Sequence, residues 1–475
     1  MRLTTIRISI LLVLLLISPA PSVADERPNI VMIFVDDMGY GDLGCFGNPD
    51  LKTPHIDRLA SEGLRLTQFY TNSPICSPSR VAVTTGHYPG RHGIHSFLST
   101  RKSNRERRTR DWLDPDARCI ARAFREAGYQ TAHFGKWHMG GGRDVGDAPL
   151  PQAYGFDESL VAFEGLGDRV LLTGKHKNSR ALGRGRIIDA EKHQKTEMYV
   201  DRSIDFIKRY KDRPFYLHLW LNDVHAGYFP SAEAKRRVAH LDVHPFLKEL
   251  YAVIDEMDRQ IGRLVTTIDE LGLAEKTLVV LTSDNGPNLP QANADYPKPM
   301  SRTGPFRGEK WSLYEGGIRM PFIARWPGHV PTNETDQVTV MASIDFFPTF
   351  CALAGIEIAD ADFDGEDRSS ALLGSPLEQR AKPIYWEYGR QTVTFLRPKF
   401  KENVSPNLAL REGNWKLLLN EDGVGPELYD FSKSTDENQN MANQHPEIAK
   451  RMTDKLLTWY GELPTSESFS TGIIK

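Results

Sequence analysis

The run Asn29 to Val35 (NIVMIFV) is apolar at nearly every position and rich in β-branched residues, which predicts a strand buried on both faces. It stops abruptly at Asp36-Asp37. The same pattern, an apolar run delivered into a polar cluster, returns three times. Tyr129 to Phe134 runs into Gly135-Lys136-Trp137-His138, Pro214 to Leu221 into Asn222-Asp223-Val224-His225, and Thr277 to Leu281 into Ser283-Asp284-Asn285-Gly286. Between these strands the apolar spacing changes to the helical period. Ile56 and Leu59 share a face after Thr53-Pro54, Ile120, Phe124 and Ala127 align between Asp116 and Gly128, and Val200, Ile204 and Ile207 align within Met198 to Tyr210. The longest stripe (Leu250, Val253, Ile254, Met257, Ile261, Leu264, Ile268) predicts a helix over about Phe246 to Leu271, closed by Gly272. Strands alternating with helices in this way predict an α/β fold, a large and mostly parallel sheet with helices on both faces.

Beyond Gly355 the pattern changes. Ile384 to Tyr388, Ala409 to Arg411, Trp415 to Leu419 and Leu428 to Tyr429 are short strand signals separated by polar turns, and Pro446 to Tyr460 has helical spacing. They predict a smaller C-terminal unit, an antiparallel sheet with one helix. At 475 residues the chain exceeds the size at which one core stops growing, so two domains are expected, 25–375 and 376–475. The polar, glycine-rich stretch from Gly140 to Lys195 is expected to be loops with little core of their own. At the N-terminus, Arg2 and Arg7 precede the apolar run Ile8 to Ile17, and Ser22-Val23-Ala24 is a small-residue cleavage site. Residues 1–24 are therefore expected to be a signal peptide, with the mature chain starting near Asp25 and exported. No later stretch is long and apolar enough to span a bilayer.

Charge narrows the partners. A formal net charge of -3 gives no argument for nucleic acid or an acidic membrane surface. One local run, Arg101 to Arg110 (RKSNRERRTR), is strongly basic; it is either a solvated loop or a contact for an anionic substrate such as a sulfated glycan. The four cysteines, Cys45, Cys76, Cys119 and Cys351, are too few and too widely spaced for a disulfide framework.

In an open parallel sheet the carboxyl ends of the strands share one edge, where ligands bind, so the polar clusters are expected to meet in one cleft. Asp36, Asp37, Asp284 and Asn285 offer only oxygen donors suited to a hard divalent cation, Ca²⁺ or Mg²⁺, rather than zinc. Taken singly, Asp284-Asn285-Gly286 reads first as a turn and Asp36-Asp37 as a solvated loop; like-charged carboxylates at one sheet edge favour a cation, because their repulsion needs one. Cys76 opens a helix whose first turn contains Pro78, and Arg80 follows one turn on, a setting that favours negative charge. Arg80, Lys136 and Lys310 add positive charge, and His138 and His225 can move protons near neutral pH. A metal, three cations and a helix N-terminus suit a tetrahedral oxyanion, a phosphate or sulfate ester.

Cys76-Ser77-Pro78-Ser79-Arg80 with Thr85-Gly86 resembles the signature of the type I, formylglycine-dependent sulfatases. Asp36-Asp37, Gly135-Lys136-Trp137-His138, Ser283-Asp284-Asn285-Gly286 and the segment Gly308-Glu309-Lys310 match that family's other motifs in order, over about residues 28 to 355. Trp415-Lys416-Leu417 and Glu427-Leu428-Tyr429-Asp430 are similar to its C-terminal domain. The resemblance implies an alkaline-phosphatase-like fold and one Ca²⁺ held by Asp36, Asp37, Asp284, Asn285 and residue 76. It implies that a separate maturation enzyme oxidises Cys76 to formylglycine, whose hydrated form attacks sulfur, after which sulfate is expelled and the aldehyde restored. His225, helped by Lys310, would protonate the leaving alcohol, and His138 would assist sulfate release. Lys136 and Lys310 would bind sulfate oxygens and Arg80 would orient the formylglycine. The family often carries Pro-His where this chain has Val224-His225.

The expected function is thus an exported sulfatase, periplasmic or secreted in a bacterium and lysosomal or extracellular in a eukaryote. Its expected substrate is a terminal sulfated sugar of a polysaccharide or glycosaminoglycan fragment, with galactose and N-acetylgalactosamine sulfates both open. The loops expected to choose it lie near His95, Arg101 to Arg110, Gly140 to Lys195 and Tyr388 to Pro406. One alternative is a phosphomonoesterase or phosphodiesterase of the same superfamily, against which Cys76 and Asn285 argue. The other is a catalytically silent glycan-binding relative, which would have lost a nucleophile or ligand that this chain retains.

Overall fold

The computed structural model describes residues 27–162, 164–289, 302–359, 362–375, 379–390 and 395–465. The expected leader at 1–24 and the expected boundary at 376 lie outside the described residues. In chain order the strands are β1 (Asn29–Val35), β2 (Leu64–Tyr70), β3 (Gln130–Lys136), β4 (Glu158–Ala162), β5 (Arg169–Leu172), β6 (Ile187–Ala190), β7 (Phe215–Leu221), β8 (Thr277–Ser283), β9 (Arg319–Arg325), β10 (Glu334–Asp336), β11 (Met341–Ala342), β12 (Ile384–Glu387), β13 (Leu408–Glu412), β14 (Trp415–Leu419) and β15 (Glu427–Asp430). Among the described residues, eleven form one sheet in the order β10-β2-β9-β8-β1-β7-β3-β4-β5-β6, with β11 beside β2. Only β9 runs antiparallel to its neighbours there. The architecture is the expected one, a large and mostly parallel sheet flanked by helices.

β1 is the centre of this sheet, and its seven residues are all buried. Ile30, Met32 and Phe34 face one layer, which holds Val81, Val83, Ile120, Phe124, Phe346 and Phe350. Val31, Ile33 and Val35 face the other, against Val200, Ile207, Ile254, Met257, Ile261 and Leu264 of the helices Lys195–Tyr210 and Pro245–Glu270. Each such side chain stabilises the fold by about 1.5–3 kcal/mol when fully buried. That gain holds the strands in fixed register. Val35 pairs with both Leu221 and Ser283, so β1, β7 and β8 end level and deliver Asp36, Asn222 and Asp284 at one edge.

The stretch expected to be loops differs from expectation. β4, β5 and β6 extend the sheet beyond β3. They are short, and charged residues such as Arg169 and Asp189 interrupt them, so they lack the continuous apolar run that marked β1. β2 and β9 also went without a strand signal. In β9 Pro321 sits opposite the β2 bulge between Leu66 and Phe69, and outside the 323–325 segment that pairs with β8. A proline is tolerated there because no ladder hydrogen bond is lost.

β12 to β15 form a separate four-stranded antiparallel sheet, covered by the helix Pro446–Glu462 through Met452 and Leu456. A buried ion cluster fastens it to the main body. Lys416 Nζ of β14 lies 2.8 Å from both Glu315 and Glu437, with all three side chains fully buried. Tyr70 Oη donates to Glu315 Oε2 at 2.6 Å. Glu315 lies five residues beyond Lys310, so this clamp steadies the segment that carries Lys310. Removing only the cation would strand two buried carboxylates. Lys416→Met is therefore expected to cost about 3–5 kcal/mol of unfolding free energy in urea denaturation, as one partner removed from a buried charge cluster does. A change below about 1 kcal/mol would show that the clamp carries no stability.

Candidate active site

Cys76 is the first residue of the helix Cys76–Thr85, and all ten of its residues are buried. Ile75 enters in extended conformation and provides no side-chain cap, so the first amides of the helix stay available near Cys76. Arg80, one turn on and fully buried, donates from Nη2 to Asp284 Oδ2 at 2.7 Å and from Nη1 to the Lys136 carbonyl at 3.0 Å. Its guanidinium also lies over the Trp220 ring at 5.1 Å. The side chain thereby ties the helix that begins at Cys76 to the ends of β3 and β8.

Three buried aspartates and the cysteine converge. One ligand atom from each of Asp36, Asp37, Cys76 and Asp284 lies within 4.8 Å of all the others. Asp37 reaches the cluster through a left-handed backbone turn, φ 61°, which aspartate tolerates better than most residues. Its amide donates to Asp284 Oδ1 at 3.1 Å. Ser283 Oγ accepts from the Met38 amide at 3.0 Å and donates to the Val35 carbonyl at 2.9 Å, stitching the ends of β1 and β8 together. Asn285 Nδ2 donates to Asp37 Oδ1 at 2.8 Å. That bond leaves Asn285 Oδ1 and Asp37 Oδ2 buried with no hydrogen-bond partner among the described residues. Four side chains rich in oxygen donors, with orphaned acceptors among them, fit a hard divalent cation.

The cations close around these acids. Lys136 Nζ spans both oxygens of Asp36 at 2.8 and 2.7 Å, and Lys310 Nζ donates to Asp37 Oδ1. Lys310 Nζ also lies 3.4 Å from Cys76 Sγ, which in turn donates to Asp36 Oδ1 at 3.4 Å. Burial alone would raise Asp36, but Lys136, His225, Arg80 and Lys310 together hold it well below the usual carboxylate range. Asp37 behaves likewise, with Lys310 and His225 outweighing burial. Asp284 goes the other way, pushed up to about 7 by burial and by the neighbouring Asp36. Burial pushes the Cys76 thiol up to about 12. Lys310 is desolvated too, yet Asp37 and the other acids keep it well above the usual lysine range.

The two histidines take different places. His225 Nε2 stands 4.0 Å from Asp37 Oδ2 at the mouth of the cleft, with its side chain 39% exposed. The protein around it pulls its pKa down to about 4 against the attraction of Asp37 and Asp36. His138 is buried behind Lys136, with Nε2 3.0 Å from the Leu98 carbonyl, and desolvation holds it well below the usual histidine value. The structure therefore brings Asp36, Asp37, Cys76, Arg80, Lys136, Asp284, Asn285 and Lys310 into direct contact, with His225 at the entrance and His138 one layer deeper.

The sulfatase family profile matches residues 28–356. The chain belongs to the sulfatase family. It is a sulfuric ester hydrolase with an alkaline-phosphatase-like fold. A second profile, for the C-terminal region of N-sulphoglucosamine sulphohydrolase, matches residues 307–460. The sulfatase is 30% identical to human arylsulfatase A, over 92% of this chain and 89% of that protein. It is 30% identical to an N-acetylgalactosamine-6-O-sulfatase of Bacteroides thetaiotaomicron, over 91% of this chain and 93% of that one. The solved structure of Ps i-CgsB in complex with k-i-k-neocarrahexaose superposes with a TM-score of 0.76 at 26% identity, covering 92% of this chain and 94% of that one.

One residue that holds the sulfatase site together left no signal in the sequence. Arg302 forks onto Asp42 at 2.9 and 2.8 Å and donates to the Asp37 carbonyl at 3.1 Å, fixing the loop after β1. It stands in a patternless Gly/Pro-rich segment, and no local pattern marks Asp42 as buried. The basic run resolves into a short helix, Arg101–Glu106, in which Arg101 pairs with Asp111 at 2.8 Å, while Arg110 beyond it pairs with Asp114 at 3.1 Å. Arg107 packs on the Phe97 ring instead, 3.8 Å from its centre. Because the Arg302 contact is bidentate, Arg302→Lys is expected to lower kcat about 100-fold by displacing Asp37. Steady-state sulfate release checks this, and wild-type turnover in Arg302→Lys would contradict the positioning role.

Proposed function

We propose that this sulfatase is exported and removes sulfate from a terminal sulfated sugar of a polysaccharide or glycosaminoglycan fragment, using a formylglycine made from Cys76 by a maturation enzyme. The contact that carries this reading is Cys76 Sγ at 3.4 Å from both Asp36 Oδ1 and Lys310 Nζ. Any nucleophile at position 76 touches the acid cluster on one side and a proton donor on the other. A thiol held near 12 stays protonated at neutral pH and is a poor nucleophile, which supports its conversion. Hydrated formylglycine supplies a hydroxyl nucleophile at that position. Asp36, Asp37, Asp284, Asn285 and residue 76 would hold a Ca²⁺, which would supply Lewis acidity at this centre.

The chain's own groups do the rest. Arg80 orients residue 76 through the shared helix and offsets Asp284. Lys136 and Lys310 bind sulfate oxygens. Lys136, Lys310 and Arg80 contact Asp36, Asp37 and Asp284 respectively, so a divalent cation would add positive charge for a sulfate ester. Lys310 is the protonated member of the pair at the leaving-group side, and His225, neutral at rest, relays its proton to the departing alcohol. His138 assists sulfate release from the deeper layer.

A sugar as that alcohol is supported by the relatives, one named for N-acetylgalactosamine-6-O-sulfate chemistry and one solved with k-i-k-neocarrahexaose. A cavity of about 200 Å³ opens beside His225 to receive it. No described helix is long and apolar enough to cross a membrane, and the N-terminal leader pattern supports export. The same reading places the boundary between a catalytic domain and a C-terminal subdomain at residue 376.

Two outcomes are expected. Wild-type enzyme releases sulfate from at least one of a panel of defined sulfated mono- and oligosaccharides, followed by ion chromatography, and Cys76→Ala loses at least about 1,000-fold in kcat. Activity retained in Cys76→Ala overturns the mechanism. Chelation by EDTA is expected to lower the melting temperature, Ca²⁺ to restore it, and Asp37→Asn to abolish the Ca²⁺ response; a melting temperature indifferent to Ca²⁺ overturns the metal assignment.

A further inference from the structure

Lys195 is placed where a cation costs stability. It is the first residue of the helix Lys195–Tyr210, at the positive end of the helix dipole, and it is only 6% exposed. Lys192 precedes it by one turn, adding like charge. Lys192 is committed, since its ammonium donates to the carbonyls of His225 at 2.7 Å and Gly227 at 2.8 Å and so positions the loop that carries His225. Lys195 has no such commitment: among the described residues its ammonium has no hydrogen-bond or ion-pair partner. Glu164 is paired with Arg143, and Asp223 accepts from the Thr196 hydroxyl and attracts Lys195 only without direct contact. Burial and Lys192 pull the Lys195 pKa down to about 8, outweighing the attraction of Asp223, which makes no ion pair with it.

The same lysine lines the cavity beside His225, and so does Phe229, whose ring is 65% exposed at its lip. An aromatic face left in water beside a buried cation that makes no direct ion pair is a poor arrangement for folding and a good one for a charged sugar. We propose that Lys195 is a specificity residue that binds a second anionic group on the substrate sugar, a carboxylate or a second sulfate, while Phe229 packs against the ring. This rests on the sugar-sulfatase reading and sharpens it: the preferred substrate carries two negative charges, one cut at the Cys76 site and one held at Lys195.

The test measures binding apart from turnover. Calorimetry on the Cys76→Ala protein compares three sulfated disaccharides in both a galactose and an N-acetylgalactosamine series: one with a neutral neighbour, one with a uronate and one with a second sulfate. In at least one series a doubly charged ligand is expected to bind about 10- to 100-fold more tightly than the neutral-neighbour form, as a charge-assisted hydrogen bond provides. Lys195→Met should erase that ratio and Lys195→Arg should keep most of it. Whether the uronate or the second sulfate gains identifies the anion. Lys195→Met should also melt no lower than the parent, because it removes a cation that opposes folding. No charge preference in either series, an equal loss for all three ligands in Lys195→Met, or a lowered melting temperature in that variant would each overturn the proposal. Failure of the underlying reading shows separately, as a wild-type enzyme that releases sulfate from none of the sugars.

Discussion

Three aspartates cannot be buried within a few ångströms of one another without compensation, and much of the structure serves that constraint. Desolvating an unpaired carboxylate costs several kcal/mol, and mutual repulsion adds to it. Lys136, Lys310 and Arg80 arrive from three separate elements to offset Asp36, Asp37 and Asp284. Each is anchored in turn. Lys136 ends a central strand, Arg80 is fixed by the buried helix, and the Lys310 segment is held against the small sheet through Glu315 and Lys416. The C-terminal sheet therefore acts on the chemistry by holding one lysine in place.

The level ending of the central strands makes this convergence reachable from sequence. The runs into Asp36, Lys136, His225 and Asp284 were legible because strands buried on both faces leave uninterrupted apolar stretches, and a parallel sheet sends their ends to one edge. What went unread had weaker patterning. β4 to β6 are short and mixed in polarity, β2 carries a bulge and β9 a proline, so none shows a clean period. Arg302 was invisible for another reason: its role depends on the burial of Asp42, a tertiary fact that no local pattern encodes. The pocket-lining Lys192 and Lys195 likewise looked like ordinary polar residues at a helix start.

The electrostatics divide the labour between a rigid interior and a wetter rim. Inside, the charges are paired, fully buried and held by backbone contacts, so they are arranged before any ester arrives and need little reorganisation during reaction. At the rim, His225 is partly exposed, its loop is held by Lys192, Phe229 is exposed, and the buried Lys195 lines the cavity. Chemistry shared by the family fits the first region, and choice of substrate fits the second. The thiol at position 76 is buried, and burial pushes its pKa up, which supports the proposed conversion.

On this reading, the strand ends build one hard-cation, oxyanion-binding centre around residue 76. Crystallography of the protein grown with Ca²⁺ and sulfate tests it most directly. A single cation is expected at about 2.3–2.6 Å from oxygens of Asp36, Asp37, Asp284 and Asn285, with sulfate against Lys136 and Lys310. A cation bound elsewhere, or a cluster still closed by its lysines with neither ion present at saturating concentrations, would contradict it.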